Sequence, residues 1–193
     1  VKGQAELGLE VGVICDSETG GEQAARALER LADFCTLGVA RVPMARKIRP
    51  SDFKSYRQVK RLAARLEVNV LHGHGAKSGA YARLAARGLK RKRHVGAFYT
   101  PHGGSLHHAP TTLAGRIYVK AEQRLAPLTD GLVFESLFAA RRFSEFIGPP
   151  TCPVGRSSRC VTSRGSTMMS FEWALRTRSP SVASIARVAA PDS

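Results

Sequence analysis

Two short stretches of this 193-residue chain gather the side chains that could do chemistry. In residues 69–79, NVLHGHGAKSG, His72 and His74 stand two apart, and Lys77 and Ser78 follow at the start of a small-residue helical pattern. In residues 95–104, VGAFYTPHGG, Thr100 and His102 precede Gly103 and Gly104. An imidazole at a strand end can hydrogen-bond a hydroxyl or stabilise developing charge near neutral pH. An exposed polar group beside glycines marks a loop that carries function. The structural alternative for His102 is a ring bonded to a neighbouring backbone carbonyl. Period-two spacing puts His72 and His74 on one side of an extended segment, with His72 bracing the turn and His74 lining a cleft. Lys77 and Ser78 suit a phosphate or a hydroxyl at a helix start, with plain capping the equal alternative. Gly103 and Gly104 let backbone approach a ligand or adopt positive φ. Thr100 and Tyr99 read as cleft lining, Tyr99 with core packing as its alternative. Ser136 opens a later helix and either caps it or touches ligand, capping being favoured.

A metal is not expected. His72, His74, His102, His107 and His108 are numerous enough to raise the idea. No Asp or Glu lies near the first pair in sequence, however, and dinuclear sites usually want bridging carboxylates.

These stretches need a scaffold that brings strand ends together. Residues 11–15 form an apolar run, a helical pattern starts at Glu22, and residues 37–42 make a second short strand. A basic amphipathic helix begins at Ser51 or Asp52, with Phe53, Tyr56, Val59, Leu62, Ala63 and Leu66 on its apolar face. Strands then recur near residues 68–71, 95–98 and 132–134, each followed by a helix. The helix at 111–126 carries Leu113, Ile117, Ala121 and Leu125 as its apolar face, leaving Arg116 and Glu122 off it, a solvated pair being favoured over an acceptor contact. This alternation, unbroken from residue 11 to 148, calls for an α/β fold: a Rossmann-like parallel sheet with helices on both faces. Beyond Pro149 and Pro150 apolar periodicity fades, and residues 149–193 read as a low-order tail.

Thirty Lys and Arg against fifteen Asp and Glu give a net charge of +15. Such an excess favours polyanions: nucleic acid, anionic headgroups or a phosphorylated substrate. The basic residues cluster on the helix that starts near residue 51 and in the run 87–93, without interleaved aromatics to stack on bases. A solvated or membrane-facing surface is therefore favoured over nucleic acid. No stretch reaches eighteen uninterrupted apolar residues. Cys15, Cys35, Cys152 and Cys160 match no zinc or redox spacing and read as reduced thiols of a cytosolic protein.

Taken in order, VLHGHGAKSG, FYTPHGG and AEQRLAPLTDGLVFES resemble the N-terminal half of GT-B glycosyltransferases of the retaining family-four type. The resemblance covers residues 1 to 148. It implies a sugar moved from a nucleotide-sugar donor to a lipid, glycan or small-molecule acceptor. In such a site His102 lies in the cleft near the transferred sugar, as the residue most directly tied to catalysis. His74, Lys77, Thr100, Gly103, Gly104 and Ser136 complete the expected substrate-binding set. No cofactor is expected; the nucleotide-sugar is a substrate, held mainly by a C-terminal domain that should follow residue 148. The first strand and its Gly-Gly loop should lie before Val1. The chain is therefore expected to be a fragment, inactive alone, with a tail that reads like a shifted reading frame. The implied setting is cytoplasmic, peripheral to an inner membrane where envelope polysaccharides are built. Two rivals stand beside this reading: a basic module binding anionic lipid or nucleic acid, and a histidine-dependent metallohydrolase.

Overall fold

The computed structural model describes residues 1–44, 48–102, 111–156 and 182–187. The chain runs α1 (Lys2–Glu6), β1 (Glu10–Asp16), α2 (Gly21–Ala32), β2 (Val39–Val42), α3 (Asp52–Arg65), β3 (Val70–His74) and α4 (Ala76–Leu89). It continues through β4 (Gly96–Thr100), α5 (Leu113–Leu125), β5 (Gly131–Phe134), α6 (Leu137–Phe146), β6 (Val154–Arg156) and β7 (Val182–Arg187). Among the described residues the strands make one sheet in the order β2-β1-β7-β3-β4-β5-β6. The β1–β2, β3–β4, β4–β5 and β5–β6 pairs are all parallel. Parallel neighbours need long crossovers, and helices supply them.

Alternation along β1 explains why both faces need cover. Val11, Val13 and Cys15 point to one side and pack with Leu28 and Leu31 of α2. Ile14 points to the other, joining Leu71 of β3, Ala97 of β4, Val59 and Ala63 of α3 and Ala82, Ala85 and Ala86 of α4. Leu132 and Phe134 of β5 meet Phe143 of α6 on that second side. The fold is thus the α/β class expected, a largely parallel sheet with helices on both faces.

Two departures from the sequence reading have physical causes. β3 does not break ahead of the histidines but runs through His74, and the turn falls at Gly75, whose φ of 80° glycine tolerates best. The expected apolar face of α5 is the wrong one: Leu113 and Ile117 are exposed, whereas Gly115 and Glu122 are buried. Phe53 likewise leaves the packed face of α3 and is exposed. Two short strands lie within the stretch read as a low-order tail. β6 extends the sheet past Pro150, and Val182–Arg187 lies antiparallel between β1 and β3. VASIAR is a weak strand signal, but two partners close ladders on both of its edges, and such context outweighs propensity. The rest of the tail lies outside the described residues.

Candidate active site

The sheet order places the candidate residues. β1 is followed by β2 on one side, whereas β3, β4, β5 and β6 follow one another in the opposite direction. The direction of winding reverses between β1 and β3, and open α/β sheets bind ligands outside the carboxyl ends at such a reversal. β3 ends there in His74.

Register then lines up the neighbouring ends. His74 pairs with Thr100, and Tyr99 pairs with Leu132. Just past the ends of β4 and β5, His102 and Glu135 come side by side. His102 Nδ1 lies 2.7 Å from Glu135 Oε1. On its other side, His102 Nε2 lies 3.4 Å from His74 Nδ1. His72 Nε2 bonds Thr100 Oγ1 at 2.8 Å, and its ring centroid lies 4.2 Å from that of His74. Three imidazoles and one carboxylate thus form a row along the carboxyl edge, with His102 and Glu135 partly open to solvent.

Burial is the main influence on the inner two rings. It drives the pKa of His72 down to about 4 and that of His74 down to about 2, the neighbouring imidazoles adding to the effect. Both are neutral hydrogen-bonding groups at physiological pH. Unfolded, each takes up its proton near 6.5. Between about 6.5 and 4 the unfolded chain therefore binds more protons than the folded one, so stability is full above that window and falls through it as pH drops. The unfolding free energy from urea titration should hold between pH 7.5 and about 6.5 and then fall toward pH 4.5 by on the order of 1 kcal/mol per pH unit for each imidazole. His74→Gln should flatten the decline. An unchanged free energy would mean that the rings protonate inside the fold. Asp16 and Asp52, both held below the usual carboxylate value of 3.8, act only at lower pH.

The other sequence candidates separate. Lys77 is drawn into an ion pair with Asp52 of α3, at 2.8 and 2.9 Å to the two carboxylate oxygens. Burial pushes the Asp52 carboxyl up, but Lys77 and the backbone N–H of Arg49 outweigh it. Ser78 is buried, and its hydroxyl donates to the His74 carbonyl, so it fastens the β3–α4 turn. Ser136 caps α6, accepting from the Ala139 N–H at 3.1 Å. Gly103, Gly104, His107 and His108 lie outside the described residues. Among the described residues, no group of three or more His, Cys, Asp or Glu side chains is placed to hold a metal ion.

Sequence reasoning passed over Glu135 and a buried cluster behind the row. Arg83 of α4 is fully buried, donating from Nη1 to Glu122 Oε2 and from Nε to the Gly79 carbonyl, both at 2.9 Å. Its guanidinium lies 4.0 Å from the Tyr99 ring centroid, and the Tyr99 hydroxyl donates to Glu122 Oε1 at 2.9 Å. Glu122 is therefore not half of a solvated pair with Arg116. It is the anchor that turns α5 onto its polar face. For Glu135 a signal was available: it stands one residue past a strand, as His102 stands two past another. A cavity of about 310 Å³ lies elsewhere, lined by Gln123, Pro127, Leu132, Phe143, Ile147 and Pro150 among others, and includes none of the candidate residues.

A family model described as a glycosyl transferase 4-like domain matches residues 1–156. The chain belongs to this family. No curated protein matches it. The match stops at the last residue of β6, so this glycosyl transferase 4-like domain takes in the sheet from β1 to β6 and leaves β7 outside it. It is a glycosyltransferase N-terminal module, and the histidine row stands on its carboxyl edge. Among the described residues no helix is long and apolar enough to cross a membrane.

Proposed function

We propose that this module forms the acceptor-side wall of a sugar-transfer cleft. A nucleotide-sugar, held mainly by a second domain, gives up a hexosyl unit to a lipid, glycan or small-molecule acceptor seated against His74, Thr100 and His102. His102 faces the transferred sugar, bonding a hydroxyl or easing the charge of an oxocarbenium-like transition state. Gly103 and Gly104 belong to the proposed substrate-binding set, while behind it Lys77 ties α4 to α3 through Asp52 and Ser136 caps α6. The observation that carries this reading is the contact between His102 and His74, which joins two strand ends beside the reversal in sheet order.

By itself, the N-terminal module is proposed not to transfer sugar, because transfer needs both reactants held in one geometry. The setting proposed is the cytoplasmic face of a membrane. Lys54, Arg57, Arg61 and Arg65 of α3 are exposed, and the exposed side chains of Ile48 and Phe53 lie at its start. Basic faces with apolar neighbours bind anionic surfaces.

One assay tests these points together. The chain, alone and fused to the donor-side domain of a two-domain relative, is given labelled nucleotide-sugars and acceptors in anionic or neutral vesicles. Transfer is expected from the fusion only, faster on anionic vesicles, and reduced about 100-fold by His102→Ala. Equal turnover in the variant would remove His102 from the chemistry. Turnover by the chain alone would remove the need for a second wall.

A further inference from the structure

Glu135 follows β5, and its carboxylate reaches the segment after β4, meeting His102 Nδ1 at 2.7 Å. The opposite ring nitrogen of His102 faces His74. We propose that Glu135 is a positioning residue that fixes His102 as its Nδ1–H tautomer, turning the Nε2 lone pair toward His74 and the carboxyl edge of the sheet.

The argument is one of donors and acceptors. A neutral imidazole has one N–H and one lone pair, and an ionised carboxylate only accepts. At 2.7 Å the proton must sit on Nδ1, since the other tautomer would set a lone pair against a charged oxygen. A carboxylate behind a histidine fixes ring orientation and tautomer in the same way at metal sites. Here what is oriented is an acceptor. Nε2 can then take a hydrogen bond from a hydroxyl entering the edge, or from the Nδ1–H of His74, which burial keeps neutral. Among the described residues, the titratable groups around His102 are Glu135 beyond β5 and His72 and His74 on β3. This role rests on the reading of His102 as the sugar-facing group, but the tautomer can be measured without any sugar.

The experiment is a long-range ¹H–¹⁵N correlation spectrum of the full 193-residue chain, recorded about two pH units above the ordinary histidine value of ~6.5 so that imidazoles are neutral. His102 should show a pyrrole-like Nδ1 and a pyridine-like Nε2, with the Nδ1–H form in about tenfold excess, as a hydrogen bond to a charged group implies. Glu135→Gln should keep that form, its amide oxygen still accepting. Glu135→Ala should lose the excess, and Glu135→Lys, which can only donate, should reverse it. An Nε2–H His102 in the unaltered chain overturns the proposal, as does a tautomer ratio unmoved in both the Ala and the Lys variants. Absence of sugar transfer in the assay above would remove the functional reading and leave this result standing. The wrong tautomer would remove the role of Glu135 and leave transfer through His102 intact.

Discussion

Glu122→Ala should cost the fold about 3–5 kcal/mol, since removing one partner of a buried ion pair leaves an uncompensated charge in the interior. Arg83 has no route to water: its side chain is fully buried between α4 and the Tyr99 ring. Truncating Glu122 takes away the acceptor of Arg83 Nη1 and of the Tyr99 hydroxyl, and only the Nε bond to the Gly79 carbonyl stays with the charge. The measurement is urea unfolding of the variant against the unaltered chain. A loss below about 1 kcal/mol would place the pair among exposed ion pairs, which contribute little. The control separates charge from shape. Arg83→Met combined with Glu122→Leu removes both charges and keeps apolar volume, so it should recover most of the loss, as apolar replacements of buried pairs often do. The cluster bears on the site because Tyr99 is one residue from Thr100, the partner of His72.

That cluster also marks where sequence reading stops. Strand and helix were legible because apolar runs and helical spacing report directly on burial: Val11 to Cys15 became β1, and the small residues after Gly75 became α4. His72 and His74 were legible as a row because period-two spacing has a single geometric meaning. Thr100 was legible as a neighbour of the histidines only in outline, since its bond to His72 depends on β3–β4 register, which no local pattern states. Glu122 and Arg83 stand 39 residues apart on different helices, and each looks like an ordinary surface charge until the sheet brings them together. Leu113 and Ile117 misled for the same reason: helical spacing says which residues share a face, whereas the demand of Arg83 decides which face turns inward. Lys77 shows the converse. Its position at a helix start suited an anion, and the anion it meets is the side chain of Asp52.

Gly73→Ala should be nearly as damaging as loss of Glu122, and for a reason that reaches the site. A Cβ on Gly73 would lie 2.5 Å from Gly79 Cα and 2.6 Å from the Ser78 carbonyl oxygen, both backbone atoms that cannot rotate away. α4 would have to lift off β3. Overpacking of this kind costs about 1–3 kcal/mol where side chains can yield and more where backbone must move. In a chain of this length ~3 kcal/mol corresponds to a fall of roughly 6–12 °C in Tm. Gly79→Ala tests the same contact from the other side. Its Cβ would meet the Tyr99 ring at 2.3 Å, a side chain that can be trimmed. Measured against Tyr99→Leu alone, adding Gly79→Ala should then cost far less than it does with tyrosine in place, whereas Gly73→Ala should stay as costly in either background. If both glycine variants melt within a degree or two of the unaltered chain, α4 is not seated on β3 as described. The row would follow, because Gly73 is the residue between His72 and His74. A helix pushed off it shifts both rings, and with them the 3.4 Å approach to His102 on which the proposed cleft depends.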